Sequence, residues 1–245
     1  MRGRARRYFA IAAAAMLAAV SARADPGVGY CGPDVPQSAY GNINFWKPAT
    51  TYSLLQTNGQ RILLAEGGVG DNEAAALAGA LSQAGNIDEL WMSSPGGNMA
   101  QGLKMGRLIH SRGLAVRVPA GHACISSCTL AFLGGALRSV DAGAYYGIHM
   151  FTVYGSGGQA GMKGINDKVD FLTKKYGKQN IDEIYSVVLK QIEQQTAIGA
   201  AGLARYLVEM SASLDFLTGM TGQTNEGVCF VTRAGMQKYN VTNVE

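Results

Sequence analysis

Glu89-Leu-Trp-Met-Ser-Ser-Pro-Gly-Gly-Asn98 is the stretch whose reading decides the fold. Glu89 to Ser93 is short, largely apolar and bounded by turn residues, which predicts a buried strand. Ser94-Pro-Gly-Gly-Asn98 is a turn, and Met99 to His110 carries a helical pattern. The same strand–turn–helix order recurs on both sides. Upstream, Arg61 to Ala65 predicts a strand ended by Gly67 and Gly68, and Asp71-Asn72-Glu73 opens an alanine-rich helix to about Gln83. Downstream, Leu114 to Val118 reads as a strand, Cys124 to Leu133 after Gly121 as the first turns of a helix, and Ala144 to His149 as another strand. Strands alternating with helices predict an α/β fold, with a mainly parallel sheet and helices on its faces.

Beyond this block the pattern becomes helical. Tyr154 to Gly161 is a glycine-rich loop, and a long helical region begins near Asn166. Gly177 and Asn180 mark an interruption. Ile181, Ile184, Tyr185, Val188, Leu189 and Ile192 then recur on one helical face. That face suits packing on the protein's own sheet and a homo-oligomer contact equally. The helix resumes from Ala200 to Met210, Cys229 to Thr232 reads as a short strand, and Ala234 to Tyr239 as a last helical turn or two. Residues 25–60 read as an irregular N-terminal arm, with turn signals at Cys31-Gly32-Pro33 and Lys47-Pro48, and 61–245 as one domain without internal repeats.

The first 24 residues read as a targeting segment. Arg2, Arg4, Arg6 and Arg7 precede an apolar, alanine-dominated run from Tyr8 to Val20, and Ala22-Arg23-Ala24 is a small-x-small cleavage site. This is the pattern of a secretory signal peptide. The apolar run falls short of the ~20 residues that a membrane-spanning helix needs. The expected location is therefore periplasmic or secreted, after cleavage near Ala24. The full chain has 21 basic and 17 acidic residues. Five of the basic ones (Arg2, Arg4, Arg6, Arg7 and Arg23) lie in the segment that leaves. What remains is slightly acidic, so charge gives no reason to expect nucleic acid as a partner.

Four cysteines follow the signal: Cys31, Cys124, Cys128 and Cys229. An even count in an oxidising compartment predicts disulfides. Cys124 and Cys128 are close enough to pair locally, which would leave Cys31 with Cys229; three connectivities are open. A thiol nucleophile or redox pair at Cys124 or Cys128 is the weaker alternative, because the spacing lacks the Cys-x-x-Cys geometry. The three histidines show no ligand spacing to these cysteines, so neither metal nor cofactor is expected. His110 and His122 read as surface or packing residues.

Three segments carry the candidate chemistry. Ser94-Pro-Gly-Gly97 lies at a strand end, where glycine lets backbone N–H groups approach a ligand. Ser126 lies between a strand and the start of a helix, near N–H groups that could stabilise an oxyanion. His149 ends a strand, on the sheet edge where α/β proteins build active sites.

In this order and spacing, the segments resemble the proteolytic subunit of the Clp protease and, more distantly, signal peptide peptidase A and the crotonases. The likeness runs from about Arg61 to Asn240. Its closest form is a set of exported Clp-protease-like proteins of Gram-negative bacteria, with a core like Cys124-Ile-Ser126-Ser127-Cys128-Thr-Leu130. The resemblance implies repeated β-β-α units and a long handle helix. It implies acyl transfer on a peptide or protein substrate, with Ser126 as nucleophile and His149 as general base. The N–H groups of Gly97 and Ser127 would hold the oxyanion. One residue more than in the family turn separates Gly121 from Ser126, which keeps Ser127 as a second candidate nucleophile. The family's aspartate would fall near Thr224; Asn225, Glu226 and the more distant Asp215 are the residues available. A Ser–His dyad or a catalytically silent binding protein follows if none serves. With export, no cytoplasmic ATPase partner is expected, and a crotonase-type reaction on acyl-coenzyme A is disfavoured.

Overall fold

A computed structural model describes residues 49–151, 158–222 and 228–244, and side chains from residue 163 in the helix that begins at Gly158. The segments read as signal peptide and most of the N-terminal arm, the loop tip at 152–157, and Asn225 and Glu226 lie outside the described residues. Two sheets form the framework. The larger has the order β1-β2-β3-β4-β6, built from β1 (Thr51–Thr57), β2 (Gln60–Glu66), β3 (Glu89–Ser93), β4 (Ala115–Val118) and β6 (Leu137–Val140). The smaller has the order β5-β7-β8, from β5 (Ala123–Ile125), β7 (Tyr145–Ile148) and β8 (Cys229–Phe230). The ladders β2–β3, β3–β4, β4–β6 and β5–β7 are parallel. The hairpin β1–β2 and the pair β7–β8 are antiparallel. The molecule is thus a mixed α/β structure with mostly parallel strands, as the alternating pattern predicts.

Three strands of the large sheet run on into the small one. β4 leads to β5, and β6 leads to β7, so the parallel register Ala115↔Leu137 in the large sheet is repeated as Ala123↔Tyr145 in the small one. Ser94 continues β3 in the same way and bridges to Cys124. These crossings carry Ser94, Cys124 and Tyr146 to one level of the second layer.

The helices are α1 (Glu73–Ala84), α2 (Met99–Ser111), α3 (Ser127–Phe132), α4 (Gly158–Tyr176), α5 (Ile181–Glu209), α6 (Asp215–Thr221) and α7 (Arg233–Lys238); all but α4 and the first half of α5 pack into the core of the sheets. α2 begins at an N-cap, where the Asn98 side chain accepts from the Gln101 N–H. Leu77, Leu90, Ile109, Val118, Leu133, Tyr206 and Phe216 form the centre of the main core, each fully buried. A buried leucine of this kind contributes on the order of 2 kcal/mol over its exposed state.

Several elements differ from the sequence reading. Thr51–Thr57, within the segment read as irregular, is a strand; Asn58 and Gly59, both at positive φ, turn it into β2. Ala123–Ile125 is a strand, although helix was expected from Cys124 on, because its backbone bonds to Ser94 on one side and to β7 on the other. β6 and α6 are additional elements. The long helical region starts at Gly158, breaks at a 3₁₀ turn (Lys178–Asn180), and then runs unbroken from Ile181 to Glu209. The apolar face at Ile181, Ile184, Val188 and Ile192 packs on Ile165, Val169 and Leu172 of α4, forming a second small core. It therefore covers neither sheet.

Candidate functional site

Ser126 is the single residue between β5 and α3, and its backbone is unusual: φ is 58° and ψ is −127°. An L-residue held there costs roughly 1–3 kcal/mol and persists only where surrounding bonds over-determine it. Those bonds are present. The Ser126 N–H donates to the Gly147 carbonyl at 2.9 Å, and the Ser126 carbonyl accepts from the Thr129 N–H at 2.9 Å. The Thr129 hydroxyl donates to the same carbonyl at 2.5 Å. Cys124 and Cys128, on either side, are joined by a disulfide with Cα atoms 5.3 Å apart. This turn leaves the Ser126 side chain half-exposed at the end of the strand, without a capping hydrogen bond.

Ser127, the second candidate, is placed differently. It is the first residue of α3, 2% exposed, and its hydroxyl is buried without a partner. Its backbone faces α2, where a Cβ on Gly102 would come within 2.4 Å of the Ser127 carbonyl oxygen. Its side chain therefore lies in the interior while that of Ser126 reaches solvent. The Ser127 N–H has no hydrogen-bond partner among the described residues.

The Ser94-Pro-Gly-Gly97 turn lies directly against this point. The Ser94 N–H donates to Ala123 at 2.7 Å, and the Ile125 N–H returns to Ser94 at 3.0 Å. Gly96 has φ +88°, and a Cβ there would stand 2.5 Å from the Ser126 Cβ. Gly97 has φ +145°, and a Cβ there would stand 2.3 Å from the Val69 carbonyl oxygen. Only glycine fits either place. Val69 brackets the turn, donating to the Gly96 carbonyl at 2.8 Å and accepting from Asn98 at 2.8 Å. The Gly97 N–H, like that of Ser127, is unpaired among the described residues. Two backbone donors thus lie beside one solvent-reaching serine.

His149 follows β7, the strand parallel to β5, and is half-buried. The register Ile125↔Gly147 puts Ser126 and His149 at the same ends of adjacent strands. The His149 Nδ1 lies 2.7 Å from the Met150 carbonyl oxygen. A carbonyl only accepts, so Nδ1 carries the hydrogen and Nε2 is the acceptor of the neutral ring. Among the described residues, neither Nε2 nor the Ser126 hydroxyl is hydrogen-bonded, to the other or to a third group.

A carboxylate does not meet His149 among the described residues. Asp215 opens α6, is exposed, and pairs with Lys238 Nζ at 3.6 Å. The other two candidates, Asn225 and Glu226, fall outside the described residues. His110 is exposed, and His122 is half-buried with its Nδ1 3.1 Å from the Ala120 carbonyl. Cys229 is also disulfide-bonded, and its expected partner Cys31 lies outside the described residues. No three His, Cys, Asp or Glu side chains converge as metal ligands among the described residues. No described helix is long and apolar enough to cross a membrane.

The sequence reading did not foresee what holds the Ser126 turn. The Thr129 bonds and the strain at Ser126 have no sequence signal beyond a serine between a strand and a helix. The close fit of Gly96 on Ser126 was foreshadowed by two adjacent glycines.

Fold and site together define a mixed α/β protein with a strained strand-to-helix serine beside a strand-end histidine. No protein-family model matches the chain. No curated protein matches it either. Among solved structures, the chain is similar to a ClpP1 point mutant from Listeria monocytogenes, with 14% sequence identity and a TM-score of 0.40, over 74% of this chain and 88% of that one.

Proposed function

We propose that this protein is an exported serine hydrolase of Clp-protease-like type that acts on peptide or protein substrates outside the cytoplasm. The observation that carries the reading is the Ser126 turn, a non-glycine residue held at φ 58° with its side chain reaching solvent beside unpaired N–H groups. Ser126 Oγ attacks the scissile carbonyl while His149 Nε2 takes its proton. The N–H groups of Gly97 and Ser127 receive the negative charge that develops on the carbonyl oxygen. His149 then returns the proton to the leaving amine, and water completes the cycle by the same route. The N-terminal signal pattern supports export, and no ATPase partner enters the reading.

The test is labelling with a fluorophosphonate probe. Wild-type protein should label stoichiometrically, and Ser126→Ala and His149→Ala should each abolish labelling. Equal labelling of wild type and Ser126→Ala would overturn the assignment.

A second reading, a catalytically silent fold used for binding or assembly, is favoured by one observation. His149 Nδ1 meets the Met150 carbonyl rather than a carboxylate. A dipole stabilises the imidazolium less than a charge does, and loss of the acid in a Ser–His–Asp triad costs about 10⁴-fold in turnover. No labelling of the wild type at any probe concentration would favour this second reading.

A further inference from the structure

We infer that the Cys124–Cys128 disulfide is a positioning element of the site, setting the backbone of Ser126 and through it the reactivity of the hydroxyl; this rests on the reading of Ser126 as nucleophile. The bridge spans the turn and nothing else. Its first sulfur belongs to the middle residue of β5, fixed between Ser94 and Tyr146 by backbone bonds on both sides. Its second belongs to the first turn of α3, a helix of six residues. So short a helix does not hold its first turn by propensity. Burial of all six residues and bonds from Tyr146 Oη to the Thr129 carbonyl at 2.9 Å and from Tyr206 Oη to the Leu130 carbonyl at 2.5 Å seat its body, and the bridge is the covalent tie from its first turn to β5. Both cysteines are wholly buried, so the bridge is part of the interior and not an exposed staple.

Between the two anchors lie three residues, and one of them holds positive φ. With the bridge open, a rotation of Ser126 to negative φ becomes available. The same rotation swings the Ser126 side chain and the Ser127 N–H away from Gly96 and Gly97. The other restraints at this turn are the Ser126 N–H bond to Gly147, the two Thr129 bonds to the Ser126 carbonyl and the close contact of Gly96 with the Ser126 Cβ. These are non-covalent contacts that a local opening of the turn breaks together. The disulfide closes a covalent ring around Ser126 that such an opening leaves intact. A local bridge over so few residues restricts the unfolded chain less than one closing a long loop, so its main effect belongs in the folded state, at this turn.

The test compares wild type with Cys124→Ala/Cys128→Ala, far below the melting temperature, by amide hydrogen exchange and by the rate of fluorophosphonate labelling. Exchange at Ser126 and Thr129 should rise at least tenfold, while Leu90 in β3 and Val116 in β4 keep their protection. Labelling per folded molecule should slow at least tenfold. Should the double alanine variant fail to fold, Cys124→Val/Cys128→Ala restores apolar volume at the strand position and is compared in its place. A bridge that only adds stability would lower the melting temperature but leave local exchange and labelling at wild-type values; that result overturns the inference. If wild-type protein does not label at all, the hydrolase reading fails, and the exchange comparison alone decides the role of the bridge.

Discussion

The Ser126 N–H donates to the carbonyl oxygen of Gly147, two residues before His149, at 2.9 Å. This bond ties the turn that presents a serine to the strand that ends at a histidine. Neither residue can shift along its strand without the other. Gly96 completes the arrangement from the opposite side, with room for hydrogen only. Gly96→Ala should therefore push Ser126 from its place and slow fluorophosphonate labelling by at least tenfold. Gly85 provides the control. It also holds positive φ, but a Cβ there meets nothing within 4 Å. Gly85→Ala should cost about 1 kcal/mol in urea denaturation from backbone strain and leave labelling unchanged.

Ser127→Ala separates the two serines. The Ser127 hydroxyl is buried and unpaired, and a buried donor without a partner is penalised by about 1–3 kcal/mol. Its removal should leave stability unchanged or raise it by up to about 1 kcal/mol, with full labelling. Ser126→Ala should keep the fold and lose labelling. A Ser127→Ala protein that folds but no longer labels would transfer the nucleophile role to Ser127.

The strands that frame this site were legible where burial is complete. Glu89–Ser93 has the bounds its apolar run predicts, because one face of β3 is wholly buried at Leu90 and Met92 and the other is at least half-buried along Glu89, Trp91 and Ser93. β6 was not legible, because Arg138 interrupts its apolar run and only its distant partners explain a buried arginine there. β1 has mostly exposed polar side chains, and its one clear signal was the Asn58-Gly59 turn. β5 looked helical because the serine and cysteines after it open a helix; its strand character comes from Ser94 and Tyr146, far away in sequence. The positions of Ser126 and His149 followed from local pattern plus family resemblance. What orients His149 is a main-chain carbonyl, which leaves no mark in a sequence.

The ion pair of Glu89 with Arg117 should shape the acid side of the stability profile. Arg117 reaches both Glu89 oxygens at 2.7 and 2.8 Å, and Asp141 at 2.7 Å, across β3, β4 and the end of β6. The guanidinium of Arg117 holds the Glu89 carboxyl below the usual carboxylate range, assisted by the Trp91 N–H. A lowered value means that the unfolded chain takes up the proton first as pH falls. The contribution of Glu89 should be complete above its unfolded value of about 4.3 and fade as pH drops through its lower folded value. Glu89→Gln should be less stable than wild type at pH 7 in urea denaturation, with the gap closing below pH 4. A gap that stays constant from pH 7 to pH 3 would remove the ion pair as its cause.

Asp215→Asn asks whether α6 supplies an acid to His149. The Asp215 carboxylate is exposed and faces Lys238, and exposed pairs of this kind contribute about 0–1 kcal/mol. The substitution should change the labelling rate by less than twofold and leave its pH dependence in place. A tenfold loss, or a shift of the profile, would mean that Asp215 orients His149 when substrate binds.

Arg138→Met tests the joint that carries α3. Arg138 is 3% exposed, yet among the described residues its guanidinium meets carbonyl oxygens instead of a carboxylate. The three acceptors end three helical segments: Leu133 after α3 at 2.9 Å, Met210 after α5 at 2.9 Å, and Asn240 beyond α7 at 3.0 Å. Helix C-termini carry partial negative charge, so one cation offsets three of them together. Burial still pulls the Arg138 pKa down from its usual value, but arginine remains charged across the range in which proteins stay folded. Methionine fills similar volume and donates nothing, leaving three carbonyls without this donor. Urea denaturation should show a loss of about 3 kcal/mol or more, within the range for breaking a buried charged network. Arg138→Lys, which keeps the charge but not the fork, should recover part of that loss. Equal stability of the methionine and lysine variants would show that packing, and not donation to the helix ends, is what Arg138 provides.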